Sequence, residues 1–381
     1  MTTTATHNAH DTTPGRALFV AFELSEKPWK LGFTTGHGQK PRERSIAARN
    51  QTRVLQEVAQ AKRRFGLPET APVFSCYEAG REGFWLHRFL EAQGIPNHVV
   101  DSSSIEVNRR KRRAKSDALD VRKLLSMLMR YAHGERDVWR VVRVPSVEAE
   151  DQRHLHRDLE TLKQERASTT TRIKGLLSSQ GGRLTSVNKL PEQLEALRLW
   201  DGSPLPSGLR RRVLRVYAHH QFLSEQIAAL EAERRARLQS AHDASIEKVH
   251  QLMQLRGIGI NGAWLLVMEF FGWRELKTRR EVGGLAGLTP TPYQSGESAR
   301  EQGITKSGNR HVRWMTTELA WSWLRYQPES ALSCWFRERF GGGGKRMRRI
   351  GIVAVARKLL IALWRFLETG VIPQGAELKA A

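Results

Sequence analysis

Four carboxylates in the first third of the chain have the type and placement to hold divalent metal ions. Glu23 closes the apolar run ALFVAFE, and Glu78 closes APVFSCYE. Asp117 and Asp120 stand three residues apart at the start of DALDVRKLLSMLMRYA, hence on one face of a helix. Acids at strand ends and at a helix start can converge on the edge of a sheet. Four such carboxylates suit a pair of Mg2+ (or Mn2+) ions, which clamp the attacking and leaving oxygens of a phosphodiester. A plainer alternative stands beside this one: an Asp near a helix start is often a cap or dipole partner, and Glu78 before Ala-Gly could open the next helix. Immediately upstream of Asp117 runs the basic segment Arg109, Arg110, Lys111, Arg112, Arg113 and Lys115. A charge run is commonly a solvated loop or an import signal. Beside a carboxylate cluster it reads better as a phosphate clamp, because a metal-dependent nuclease must also bind its polyanion.

A second set of residues lies in GLAGLTPTPYQSGESAREQGITKSGNRHVRW. Ser295, between Gln294 and Gly296, is expected in a flexible loop bounded by prolines and glycines, with Lys306, Asn309, Arg310 and Arg313 following at a helix start. An exposed serine with cations nearby suits attack on phosphorus, although Ser-Gly is also a commonplace turn dipeptide. Serine needs its proton removed. His311 lies in the following helix and no neighbour in the sequence fixes its direction, so the proton is expected to leave at the metal site.

Composition narrows the partners. The 381 residues carry 62 Lys and Arg against 39 Asp and Glu, a formal net charge of +23, with a sequence pI of about 10.7. A small acidic metabolite does not call for that much charge, whereas nucleic acid does. Two cysteines, Cys76 and Cys334, cannot build a disulfide framework or a four-ligand zinc site, and they fit a reducing cytosol. The first fifteen residues have no apolar stretch of the kind a secretory signal requires. The most apolar late segment, residues 350–367, is interrupted by Arg357, Lys358 and Arg365, so no membrane span is expected.

The elements that must position these residues fall into successive regions. Residues 1–15 read as a disordered tail. Over 16–140 strands alternate with helices, which predicts an α/β domain: a hairpin from ALFVAFEL and WKLGFTT, a helix over 45–65, a strand at APVFSCYEA, a helix at REGFWLHRFLEAQG and a strand at NHVVD. Residues 141–249 read as a helical coiled-coil region. Leu209, Val213, Val216, His220, Leu223, Ile227 and Leu230 alternate steps of four and three, with one histidine in the seam. An antiparallel hairpin and a dimerising coiled coil both satisfy that pattern. Residues 250–370 are expected to be mostly α-helical, opening with MQLRGIGINGAWLLVMEF. Its Gly-x-Gly is either a helix-hairpin-helix turn that holds phosphate or a plain αα-turn. Residues 371–381 read as a tail.

Several motifs are decoys on sequence grounds. HRDL at 156–159 mimics a kinase catalytic loop but lacks the downstream Asn and lies in the coiled-coil pattern. GGGGKR at 341–346 has Arg339 and Arg346 where a phosphate-binding loop needs Gly and Ser or Thr, and reads as a basic linker. His219–His220 has no partners at metal-ligand spacing. Trp314, Trp321 and Trp323 read as packing residues.

Taken together, FELS, YEAG, KSDALDVRKL, LRGIGINGAWLLVMEF, GGLAGLTPTPYQSG and ITKSGNRHVRW resemble the DEDD-type insertion-sequence transposases, the bridge-RNA-guided recombinases. The resemblance runs from about Arg16 to Leu367. It implies a RuvC-like (RNase H-like) N-terminal domain, a coiled-coil middle and a serine-bearing C-terminal domain. It also implies metal ligands at Glu23, Glu78, Asp117 and Asp120 and a nucleophile at Ser295. Glu23 stands where the family usually carries aspartate, keeping the charge and adding a methylene. The implied activity is DNA recombination through a phosphoserine link, with a structured guide RNA pairing to donor and target DNA and a dimer or tetramer performing the exchange. Two rival readings stay open: a metal-dependent junction-resolving nuclease that leaves Ser295 idle, and a non-catalytic nucleic-acid-binding relic.

Overall fold

The computed structural model describes residues 17–105, 117–240, 243–295 and 298–380, with the backbone alone at 294–295 and 298–301. The tail at 1–15 and the basic run from Arg109 to Lys115 lie outside the described residues. The chain divides into two compact units, Met1–Val144 and Pro145–Ala381.

In the first unit, β1 (Leu18–Glu23) and β2 (Pro28–Thr34) form the expected antiparallel hairpin. A third strand, β3 (Arg42–Ala47), pairs antiparallel with β2. It takes the place expected for the first turns of a helix over 45–65. Two local features stop the helix from reaching back that far. Arg49 adopts a left-handed φ of 63°, and Asn50 caps α1 (Gln51–Arg64) by accepting from the Arg53 amide at 2.9 Å. The order β3-β2-β1-β4-β5 is completed by β4 (Val73–Glu78) and β5 (Asn97–Val100), both parallel to their neighbours. Between them α2 (Trp85–Ala92) starts four residues later than expected, after Gly83 turns at φ 65°.

Strand alternation gives the sheet two buried faces. Leu18, Val20, Phe22, Trp29, Leu31 and Phe33 pack with Val54 and Val58 of α1 and Leu86 and Leu90 of α2. Phe19, Ala21 and Cys76 pack on the other side with Val121, Leu124, Leu125 and Leu128 of α3 (Asp117–Ala132). That second contact is close because β2 has no side chain at Gly32: an ideal Cβ there would lie 2.2 Å from Val121 Cγ1. Gly32→Ala should therefore cost about 1–3 kcal/mol in urea unfolding, and Val121→Ala in the same chain should return most of it. A stable Gly32→Ala single variant would mean that α3 does not rest on this strand.

The second unit begins with α4 (Val147–Asp151), α5 (His154–Ser178), α6 (Leu190–Gln193) and α7 (Ser207–Ser240). α5 and α7 pack antiparallel in the same chain, as the pairs Lys163–Glu231 (2.7 Å) and Thr169–His220 (3.1 Å) show. Val213, Leu223 and Ile227 are buried along the seam. The seam histidine is accommodated by polar partners on both nitrogens, Thr169 at Nδ1 and Asn188 at Nε2 (3.3 Å). Burial, reinforced by nearby Arg166, holds its pKa below the ordinary value.

The chain continues through α8 (Ala244–Met253), α9 (Ile260–Leu266), one π-helical turn (Val267–Phe271) and α10 (Arg279–Leu285). The hairpin of β6 (Pro290–Ser295) and β7 (Ser298–Ile304) follows, then α11 (Arg310–Tyr326), α12 (Ala331–Phe340) and α13 (Lys345–Thr369). Trp264, Phe270, Trp323, Leu359 and Leu363 lie in its core. Lys345 and Arg346, expected in a linker, begin α13 instead. Residues 371–380, expected as a tail, are tied down: Glu377 N–H donates to Gln327 Oε1 (2.8 Å) and Lys379 N–H to the Gln254 carbonyl (2.7 Å). Among the described residues no helix is long and apolar enough to cross a membrane.

Candidate functional site

The acids of the first unit share one end and one face of its sheet. Glu23 and Glu78 each stand one residue beyond the paired Phe22 and Tyr77 of the parallel strands β1 and β4. Strand parity puts both on the side of Phe19, Ala21 and Cys76, the side covered by α3. α3 runs against β1: Val121 sits over Gly32, which pairs with Ala21, while His133, just past the helix, lies beside Phe19 (ring centroids 6.3 Å) near the start of β1. Its first turn, with Asp117 and Asp120, is thus directed to the strand ends that carry Glu23 and Glu78. Oxygen donors in this number and of this hardness fit Mg2+. The side chains are not drawn into a coordination shell: among the described residues no three His, Cys, Asp or Glu form a group that could hold a metal ion. Cys76 is no part of this chemistry, because full burial pushes its thiol pKa up.

In the second unit Ser295 closes β6 rather than sitting in a loop, and its backbone pairs with Ser298 across the tip of a two-stranded sheet. With a strand rise of about 3.3 Å per residue, five residues carry the serine roughly 17 Å beyond Pro290. An isolated hairpin of two strands is marginal alone, so its base is held firmly. Thr305 N–H donates to the Thr289 carbonyl (2.9 Å), and Asn309 N–H to that of Leu285 (2.8 Å). Gly308 has no room for a Cβ, which would meet the Leu285 oxygen at 2.4 Å. Asn309 caps α11, its Oδ1 accepting from the His311 and Val312 amides (2.9 and 3.2 Å). Of the cations predicted around this helix start, Lys306 and Arg310 are exposed, while Arg313 donates to the Ala286 carbonyl (3.2 Å).

Beneath the hairpin base lies a carboxylate that sequence reasoning missed. Glu269, in the π-helical turn, is fully buried. Its Oε1 meets His156 Nε2 (2.9 Å) and accepts from Arg157 Nε (2.6 Å); its Oε2 accepts from Arg157 Nη2 (3.0 Å) and from Asn309 Nδ2 (2.8 Å). Burial alone would raise the carboxyl pKa. The bonds from His156 and Arg157, the Arg157 charge and Asn309 outweigh that and hold it far below the ordinary range. One acid therefore fastens the long helix α5 to the π turn and to the cap of α11. The HR of HRDL, dismissed as a kinase mimic, supplies two of its partners. The available signal was a single acid inside AWLLVMEFFGW, a run otherwise fit for the core. His311 is fixed after all: its Nδ1 lies 2.8 Å from Glu160 Oε2 on α5.

Glu269→Gln should cost roughly 2–3 kcal/mol at pH 7, since a buried ion pair loses its charge while Arg157 keeps one side to water. Because the folded pKa is depressed, this contribution is present above the unfolded value of about 4.3. It is lost as the pH falls from there toward the folded value. The gap between wild type and variant should narrow in acid, read by denaturant midpoints at pH 7 and pH 3; a pH-independent difference would assign the loss to packing.

Of the three tryptophans expected to pack, Trp323 is buried, while Trp314 and Trp321 are 48% and 41% exposed on α11.

Residues 249–333, which span Glu269, Ser295 and Asn309, match the family described as Transposase IS116/IS110/IS902. Over 376 residues the chain is 41% identical to the y4rJ protein of Sinorhizobium fredii (strain NBRC 101917 / NGR234), named as a transposase, with 95% of each chain covered. The y4qE protein of the same strain, also named as a transposase, is 28% identical over 270 residues, 67% of this chain and 60% of its own. The transposase for insertion sequence element IS1328 of Yersinia enterocolitica is 27% identical over 170 residues, 44% of this chain and 48% of its own. The chain belongs to the IS116/IS110/IS902 family of transposases.

Proposed function

We propose that this insertion-sequence transposase cuts and rejoins DNA through a covalent serine–phosphate link, using a RuvC-like first unit and a serine-bearing second one. The observation that supports the metal half is that Glu23 and Glu78 end adjacent parallel strands on the side of the sheet covered by α3, whose first turn carries Asp117 and Asp120. These four would hold Mg2+ or Mn2+, which when bound offsets charge on the phosphoryl oxygens. Strand order β3-β2-β1-β4-β5 with β2 antiparallel supports the RNase H-like assignment.

Ser295 Oγ forms a bond to phosphorus as the bond to one ribose oxygen breaks, and that oxygen takes up a proton. Joining reverses the step: a ribose hydroxyl of another strand attacks the phosphoserine, and Ser295 recovers its proton. One phosphodiester is exchanged for another, so no nucleotide cofactor is consumed. The place of Ser295 at a hairpin tip suits a nucleophile that must enter a substrate as broad as DNA. Lys306, Arg310 and Arg313, with the basic run at 109–115, would take the phosphates of donor and target DNA and of a structured guide RNA. Delegating sequence choice to base pairing fits a +23 chain whose cations read backbone rather than bases. Exchange between two DNA ends requires more than one cutting centre, hence a homo-oligomer, a dimer or a tetramer.

The test uses the purified full chain with the nucleic acid that copurifies with it. Sequencing should return one structured RNA with segments complementary to donor and target. Chelation of divalent metal should stop strand exchange and leave binding intact. DNA cleavage that never yields a protein-linked strand would replace this reading with a junction-resolving nuclease.

A further inference from the structure

α13 is amphipathic in an unusual way. One face buries Val355, Leu359, Leu363 and Phe366 in the core, as expected of a long packed helix. The other carries Arg357, Lys358, Ile361, Trp364 and Arg365 at spacings of one, four, seven and eight residues, so cations and apolar groups alternate turn by turn. This face forms one wall of an open groove of about 1110 Å3, closed on its other sides by the start of α10, the start of α12 and the segment 371–374.

Six cations among the described residues line the groove (Lys277, Arg279, Arg280, Arg357, Lys358 and Arg365) against one carboxylate, Glu368. Among the described residues none of the six forms an ion pair. Two donors in the wall also lack acceptors among the described residues: Arg357 Nε and Trp364 Nε1 are buried without a hydrogen-bond partner there. Arg357 cannot retreat, because its Nε is packed against Gly283, where a Cβ would come within 2.9 Å. A half-buried guanidinium with no counter-ion is costly, and an anion entering the groove would relieve it.

We propose that this groove binds a single strand of nucleic acid, with phosphates along the six cations and bases against Ile361 and Trp364. The charge balance selects a polyanion. The apolar stripe between the cations selects unpaired bases, since a duplex keeps its base faces stacked inside and has nothing to lay on an indole. The inference rests on the DNA partner of the family and not on the serine chemistry, since neither the four acids nor the β6–β7 hairpin contributes to the groove.

The experiment measures binding of the full chain to fluorescent oligo(dT) and to a duplex of the same length over a range of KCl concentrations. The triple variant R279A/R280A/R365A removes three exposed side chains. It should bind oligo(dT) at least tenfold more weakly at physiological salt. The slope of log K against log salt should fall by roughly 2, from about 0.7 per phosphate contact. Duplex binding should change much less, and thermal unfolding should match wild type. Independently of any variant, wild type photocrosslinked to a bromodeoxyuridine-substituted strand should yield an adduct on the peptide containing Trp364. Wild-type affinity and slope for oligo(dT) in the triple variant would overturn the proposal. So would an equal loss for duplex, or crosslinks confined to other peptides. Loss of self-association with oligo(dT) binding intact would make the groove a contact between copies of the chain, and would overturn it as well.

Discussion

Ser295→Ala should fold normally, bind DNA and RNA like wild type, and form no covalent protein–DNA link on any cognate substrate. The expectation follows from where the serine sits. Its backbone belongs to the last pair of the β6–β7 hairpin, roughly 17 Å of strand beyond Pro290, and the hairpin is secured at its other end, through Thr289, Leu285 and Gly308. Deleting one hydroxyl at such a tip removes the proposed nucleophile and no part of that base. Phosphate binding is proposed for Lys and Arg and not for this serine, so affinity and its salt dependence should not move. On the proposed route the covalent link should be lost altogether, because no general base can substitute for an absent attacking oxygen. The measurement is a denaturing gel of protein incubated with a nicked substrate that traps the intermediate. Ser295→Cys should return a trace of adduct, since a thiol can attack phosphorus in the same place. If Ser295→Ala still yields the link, the assignment fails, and Ser298, directly across the hairpin tip, becomes the residue to replace.

Much of the first unit was legible because its strands obey simple alternation. LFVAFE points Leu18, Val20 and Phe22 one way and Phe19 and Ala21 the other, so the side on which Glu23 emerges follows from counting. The strand β3 was illegible for the opposite reason. As an edge strand, RERSIA has Ile46 as its one buried apolar residue, while its Arg42 side chain is buried by an ion pair with Glu57 of α1 that no local pattern announces, and its few apolar residues also satisfy a helical period. The β6–β7 hairpin was hidden by Pro290 and Pro292. Proline argues against a strand inside a large sheet, yet a two-stranded ribbon leaves every second amide unpaired and tolerates it. A local pattern marks Glu269 as the one acid in an apolar run, but not the clamp it forms. Its partners are more than a hundred residues upstream in α5 and forty downstream at Asn309, and the pairing of His156 and Arg157 with a distant acid exists only once α5 has docked. The direction of His311 was hidden in the same way, since it is set by Glu160 on that same helix.

Asp117→Asn and Asp120→Asn should each abolish recombination while leaving nucleic-acid binding and stability close to wild type. Both residues lie in the first turn of α3, ahead of Val121, the residue that anchors the helix over Gly32. Asn keeps the size and most of the hydrogen-bonding capacity of Asp. What it removes is the charge, and a carboxylate that has lost its charge is a poor ligand for a hard divalent ion. A purely structural role predicts something different. An acid in the first turn of a helix is worth a few tenths to one kcal/mol through the helix dipole, so a structural Asp would show a modest shift in unfolding midpoint and near-normal strand exchange. Activity and stability together therefore decide between the two roles. A further readout concerns the metal itself: with a ligand missing, raising Mn2+ should recover part of the exchange in the Asn variants, whereas extra metal does nothing for a helix cap. Glu23→Asp provides the complementary case. It shortens the side chain by one methylene at a strand end paired in register with Lys30, and it should remain active because the donor class is preserved. If either Asn variant recombines at the wild-type rate, the strand ends at Glu23 and Glu78 are not the metal site, and the acids of α3 serve only their own helix start.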